Sequence, residues 1–134
     1  MPQIIDFSKS AITSFSQSIS TPVPAAPASY ALTEFGLATA LGGNVLLNAT
    51  VGVQTTLGTP NLLLTILRSG TPVFTMLATA PATGQFDPLS LSYVDSNFPA
   101  GYFAYTLTIS QVNSASLNSA NLVGPVGFSG LSLV

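Results

Sequence analysis

Apolar and polar residues alternate strictly over long stretches of this chain. In Asn44–Gln54 (NVLLNATVGVQ), Val45, Leu47, Ala49, Val51 and Val53 take one side, and Asn48, Thr50 and Gln54 take the other. Successive side chains of a strand point to opposite faces, so this run predicts a strand with one face on a core. Tyr102–Gln111 (YFAYTLTISQ) repeats the pattern, with Phe103, Tyr105, Leu107 and Ile109 opposed to Thr106, Thr108 and Ser110. Leu89–Val94 sets Leu89, Leu91 and Tyr93 against Ser90 and Ser92. Leu62–Arg68 and Val73–Ala78 flank SGTP, whose Gly70 and Pro72 signal a hairpin. Tyr30–Thr39 and Val126–Val134 are the remaining expected strands. β-Branched and aromatic residues crowd these runs, while Lys, Glu and Arg, which favour helices, are nearly absent. The expected fold is all-β: a jelly-roll-like sandwich of about eight antiparallel strands with an extended N-terminal arm.

Three zones divide the chain. Residues 1–20 form a serine-rich arm, residues 21–28 (TPVPAAPA) a stiff Pro/Ala linker, and residues 29–134 the sandwich. In the arm, odd positions carry Ile5, Phe7, Ala11, Phe15 and Ile19, and even positions carry Asp6 and a series of serines, with Ile4 and Ile12 as exceptions. An extended arm would have an apolar face and a serine face. A helix is the rival, because Ile5, Ile12, Phe15 and Ile19 also fit a heptad stripe. Serine is a mediocre helix former, and the alternation favours the strand. Such an arm needs a place to bury its teeth. A neighbouring subunit is the expected one, reached by adding a strand to an exposed sheet edge. Folding back as a first strand of its own domain is the alternative. The expected subunit-interface residues are therefore Ile4, Ile5, Phe7, Ile12, Phe15 and Ile19.

Composition sharpens this picture. Only 4% of the 134 residues are charged, and 47% are hydrophobic, whereas ordinary globular chains carry roughly 25% charge. A soluble monomer normally wets its surface with mixed charge. This chain offers hydroxyls and amides instead, as expected of a surface consumed by neighbours. Two basic residues cannot neutralise a nucleic-acid backbone or build a polybasic membrane patch. No stretch supplies the about 20 predominantly apolar residues of a spanning helix. Asp6 ahead of Lys9, with interrupting Ser, Thr and Gln, does not make a secretory signal. A surface location would then be reached by another route, such as release from a lysed mother cell.

The chemistry of the chain points away from catalysis. With no histidine and no cysteine, neither a nucleophilic triad nor a thiolate metal site can be built. Asp87 and Asp95 lie at opposite ends of one expected strand. Eight extended residues span more than about 25 Å, too far for the roughly 5 to 9.5 Å of paired glycosidase carboxylates. Both read as turn residues, beside Pro88 and Asn97. DPLSLSYVDSN falls short of a calcium loop. Gly124, Gly127 and Gly130 read as a twisted or bulged final strand. Glu34 and Arg68 are lone charges in expected strands and could pair across them. Tyr30, Tyr93, Tyr102 and Tyr105 are expected to pack on the sheets, or else to anchor a partner. No catalytic residue, cofactor or metal site is expected.

Two segments carry a resemblance. AGYFAYTLTIS (Ala100–Ser110) resembles the Gly-aromatic strand and YTLTIS run of small jelly-roll proteins of the bacterial spore surface, the exosporium and endospore-appendage group. VGPVGFSGLSLV (Val123–Val134) is similar to a terminal strand of the same proteins. The resemblance covers about a fifth of the chain, in low-complexity β sequence. It implies a fold like the tumour-necrosis-factor jelly roll and a coat or fibre subunit whose arm inserts into the next copy. The YTLTIS strand lies nearer the C-terminus here, and the cysteines that crosslink one appendage class are absent, so assembly would be non-covalent. The expected function is thus a self-assembling structural subunit of an extracellular or spore-surface fibre or coat. Its expected partners are copies of itself and a surface or coat anchor protein. The alternative is a receptor- or surface-binding module, such as a trimeric phage-fibre tip or a spore-surface adhesin, using the loops GQFDP or SNFPAGY.

Overall fold

A computed structural model describes residues 3–13, 20–96, 99–113 and 116–134. Within strands, the side chains of Ile12, Thr13, Phe86 and Asp87 lie outside the description. The described residues form nine strands and no helix: β1 Ile4–Thr13, β2 Thr21–Pro22, β3 Tyr30–Thr39, β4 Asn44–Leu57, β5 Asn61–Arg68, β6 Thr71–Thr79, β7 Phe86–Ser96, β8 Gly101–Gln111 and β9 Ser119–Leu133. They make two antiparallel sheets, ordered β1-β9-β4-β7, with β2 also on β9, and β3-β8-β5-β6. From Tyr30 onward only β5 and β6 are joined within one sheet. Every other connection crosses from sheet to sheet, which is the wiring of a jelly roll.

The alternating runs define the core. Val45, Leu47, Val51 and Val53 of β4 are buried against Leu62, Leu64 and Ile66 of β5 and Tyr105, Leu107 and Ile109 of β8. The Phe35 ring meets Phe128 at 4.7 Å and Tyr105 at 5.9 Å between centroids. The β5–β6 hairpin turns through Ser69 and Gly70, with φ of 49° and 86°. Two positive values match the right-handed strand twist, and Gly70 adopts its own without strain.

Several boundaries extend beyond the sequence expectation. β9 begins at Ser119, well before Val126, because Gly124 and Pro125 are absorbed in a bulge and do not end the strand. The β4–β9 register shifts between Val51 and Val53, and Gly124 has φ 84°. A Cβ on Gly52 would lie 1.9 Å from Gly124 O, so the strands cross where neither has a side chain. β7 runs through Pro88 because it is an edge strand, where proline's missing N–H need not break a ladder. The segment 21–28 is seated on the body: Thr21 and Pro22 pair with Leu122 and Asn121, and Val23 is buried.

The arm differs most. It is extended, as the alternation predicts, but β1 pairs with β9 of its own chain, from Ile4 opposite Leu133 to Thr13 opposite Val126. The folded-back arrangement is thus the one seen in the single chain. Gln3 and Val134 close the ladder with reciprocal backbone bonds of 2.8 and 2.9 Å.

Candidate assembly face

Residues that share a row across the first sheet share a face. Phe7, Leu131, Leu46 and Val94 form one such row over all four strands. The next row is Ser8, Gly130, Leu47 and Tyr93. Leu47 is buried in the core, so the Ser8 row faces inward and the Phe7 row faces solvent.

Folded back on its own chain, the arm turns its serine face to the body and its apolar face to solvent. Phe7 is 58% exposed and Ile4 65% exposed, while Asp6, Ser8 and Ser10 are half-buried on the inner side. Ile5 is half-buried at a register shift between Ile4 and Asp6. The reason lies in what β1 meets. At the border of its sheet it looks onto the free edge of β3, not onto the apolar centre. That edge presents unpaired polar groups, which require partners. Asp6 Oδ2 accepts the Ala38 N–H at 2.9 Å, its Oδ1 accepts the Phe7 N–H at 2.9 Å, and the Thr33 hydroxyl donates to that of Ser10. The serine face closes the sandwich, and the apolar face is left outside. Among the expected interface residues, Ile4 and Phe7 share the outer face. The Ile12 side chain, and Phe15 and Ile19 entirely, lie outside the described residues.

On the outer face a second apolar pair, Ile4 and Leu133, lies beside the Phe7 row. Beyond the Phe7 row the surface turns polar, through Lys9, Ser129, Asn48 and Ser92, and then small, through Ala11, Gly127, Thr50 and Ser90. A shallow depression of about 240 Å³ opens over Gly127 between Ala11 and Thr50. Lys9 is the only charged residue among the described residues of this face.

The other described charged side chains are tied up in structure, and Asp87, expected as a turn residue, has its backbone within β7 opposite Val53. Asp95 is not a turn residue: it is buried in β7, on the row Asp6–Ser132–Val45–Asp95. Its Oδ2 accepts Arg68 Nη1 at 2.7 Å and the Tyr105 hydroxyl at 3.1 Å, joining the two sheets. Burial, then the adjacent Asp95 carboxylate, pushes the Tyr105 phenol well above its ordinary range. Glu34 does not pair with Arg68, because β8 lies between their strands; it accepts the Thr106 hydroxyl at 2.9 Å. Ser132 Oγ is buried without a hydrogen-bond partner. Sequence reasoning missed the inter-sheet role of Asp95. The signal available was its even spacing from Leu91 and Tyr93, which puts it on their face.

Tyr102 is 72% exposed, with its ring over Gly36 on the outer side of the second sheet, while Tyr93 stacks on Phe74 at 4.8 Å. Of the two expected binding loops, the Phe86 and Asp87 side chains and residues 97–98 lie outside the described residues. Among the described residues no three His, Cys, Asp or Glu side chains gather into a metal-binding group, and no helix is long and apolar enough to cross a membrane.

No protein-family model matches the chain, and no curated protein matches it. Solved structures do share its fold. The structure of infectious bursal disease virus Gx strain aligns with 98% of this chain and 35% of the viral chain, at 15% identity and a TM-score of 0.60. T=1 particles derived from infectious bursal virus give a TM-score of 0.61 at 14% identity, covering 98% of this chain and 35% of theirs. The VP2 subviral particle of infectious bursal disease virus gives 0.58 at 14%, covering 98% and 32%. The chain spans about a third of the length of these viral proteins. The likeness is one of fold: the two-sheet jelly roll recurs in them.

Proposed function

We propose that the protein is a structural subunit that assembles non-covalently with copies of itself into a fibre or coat, without enzymatic activity, at an extracellular or spore surface. The observation that carries this reading is the state of β1. It is held by a main-chain ladder and by Asp6 and Ser10, yet none of its described side chains joins the buried core, and its apolar residues Ile4 and Phe7 face water. A strand attached in this way is exchangeable. Residues 4–13 of a neighbour can make the same ladder with β9, so the arm links subunits without any new contact. Proteins of this fold that form viral and subviral particles support the general role. The Ala100–Ser110 and Val123–Val134 segments support the spore-surface setting, where an anchor protein would hold the assembly.

Deleting residues 1–20 tests the reading. Among the described residues the buried core begins at Val23, so the truncated chain should keep its strand circular dichroism and lose its polymers by light scattering and negative-stain microscopy. Identical particles from full-length and truncated chains would remove the arm as connector. Discrete particles that bind surfaces would favour the binding module. With so few charges there is little for salt to screen, so assemblies should survive 1 M NaCl, a concentration that reduces the Debye length to about 3 Å.

A further inference from the structure

We infer that the outer face of the β1-β9-β4-β7 sheet packs on the same face of a second copy, about a two-fold axis running along the strands between β9 and β4. This rests on the reading of the protein as self-assembling, and it names a face-to-face contact distinct from strand exchange, to which β1 contributes its outward side chains.

The rows of this face complement themselves. A two-fold axis along the strands reverses each row and returns it to its own height. Phe7 then lies over the partner copy's Val94, and Leu131 over its Leu46, so the apolar row meets an apolar row. The polar row Lys9–Ser129–Asn48–Ser92 meets itself reversed, which sets Lys9 over Ser92 and brings no like charges together. An axis across the strands would instead set Lys9 over Ile4 and desolvate the cation against an apolar side chain. The face suits stacking because small and hydroxylic residues surround the apolar row, and Lys9 on the border strand can extend its ammonium to water. Stacked sheets lie about 10 Å apart, with strands crossing at about 30°, so Leu131 over Leu46 at the crossing point is the central contact.

The size of the face identifies the kind of partner. Four strands about 4.8 Å apart and about eight residues long give roughly 500 Å² per copy. Two copies would bury on the order of 1,000 Å², the lower bound for a specific interface. A separate binding protein would gain little from so small an area alone. A second copy gains it in addition to strand exchange, and two weak contacts on one subunit multiply.

Two single variants test the geometry. Leu46→Glu and Leu131→Lys each place a charge in the centre of the contact, and each should weaken association about tenfold or more in sedimentation velocity. Mixed one to one, they should recover association, because position 131 of one copy faces position 46 of the other. Both side chains are half-buried and outward, so thermal unfolding should show folded bodies. If either fails to fold, the exposed Ser92→Lys serves: it faces the partner copy's Lys9 and should weaken association in a way that high salt reverses. Normal association of the single variants overturns the face while leaving the arm reading intact. A mixture no stronger than its components overturns the axis. A wild-type chain that stays monomeric at all concentrations overturns both.

Discussion

β4 and β1 are written in the same alternating code, yet they bury opposite sides. In β4 the apolar positions Val45, Leu47, Val51 and Val53 point to the core. In β1 the serines and Asp6 point inward, and Phe7 and Ile4 point to water. The two strands lie in one sheet with only β9 between them. Alternation therefore determines that a strand has two unlike faces, and position in the sheet determines which face turns in. A central strand looks across at apolar side chains. β1 looks at the free edge of β3, where backbone N–H groups need acceptors, whereas β7, at the other border, meets Phe74 of β6 and turns Leu91 and Tyr93 inward.

One row gives the sharpest test of this difference. Leu47 and Ser8 share it, on the inner face. Leu47→Ala should destabilise the body by about 2–5 kcal/mol, the range for a large buried side chain. Ser8→Ala should change stability by less than about 0.5 kcal/mol. Chemical denaturation of both variants measures the contrast, and a comparable loss for Ser8→Ala would mean that β1 belongs to the core after all.

The other border strand extends the comparison. β7 also turns a carboxylate inward, on the same row as Asp6, but Asp95 holds a cation and a phenol of the opposite sheet. Asp95→Ala leaves Arg68 without this carboxylate. The side chain of Arg68 is 31% exposed, so the loss should fall below the full range for a buried pair, at about 2–3 kcal/mol. The same cluster carries a pH signature. The phenol of Tyr105 is held above its ordinary range in the folded state, so it keeps its proton where the unfolded chain has lost its own. Stability from this source is complete below about pH 10 and falls as pH rises beyond it. Tyr105→Phe should flatten that alkaline slope in thermal melts taken from pH 9 upward.

The smallest effects separate folding from assembly. Phe7→Ser should leave body stability within about 0.5 kcal/mol while clearly reducing light scattering by assemblies. Ser132→Ala removes a buried hydroxyl that has no partner, so it should be neutral or stabilise by up to about 1 kcal/mol.

The body was legible in the sequence because its strands are half-buried, and half-burial writes itself as period two. Tyr30–Thr39 was expected with the bounds it has, and the apolar inward faces were expected from Val45 to Val53 and from Phe103 to Ile109, though not the buried polar Thr55 and Gln111 beyond them. β9 was expected from Val126, and the glycine spacing was read as a twist or bulge in it; that the strand continues through this bulge back to Ser119 shows only in its ladder with β4. Asp95 was hidden because a lone carboxylate beside Asn and Pro has the composition of a turn, and its partners Arg68 and Tyr105 come from the other sheet. The arm showed its periodicity but not its orientation, since no residue within it records that β3 lies opposite.

The bond from the Ala38 amide to Asp6 makes one backbone proton a gauge of the arm. It has an acceptor only while a β1 strand, from this chain or another, occupies the border beside β9. Each departure of the strand opens that proton to solvent deuterium, so at a pH where intrinsic exchange outpaces re-docking its exchange rate counts departures. Strand exchange in solution can therefore be timed at a single residue, without a label and without altering the protein.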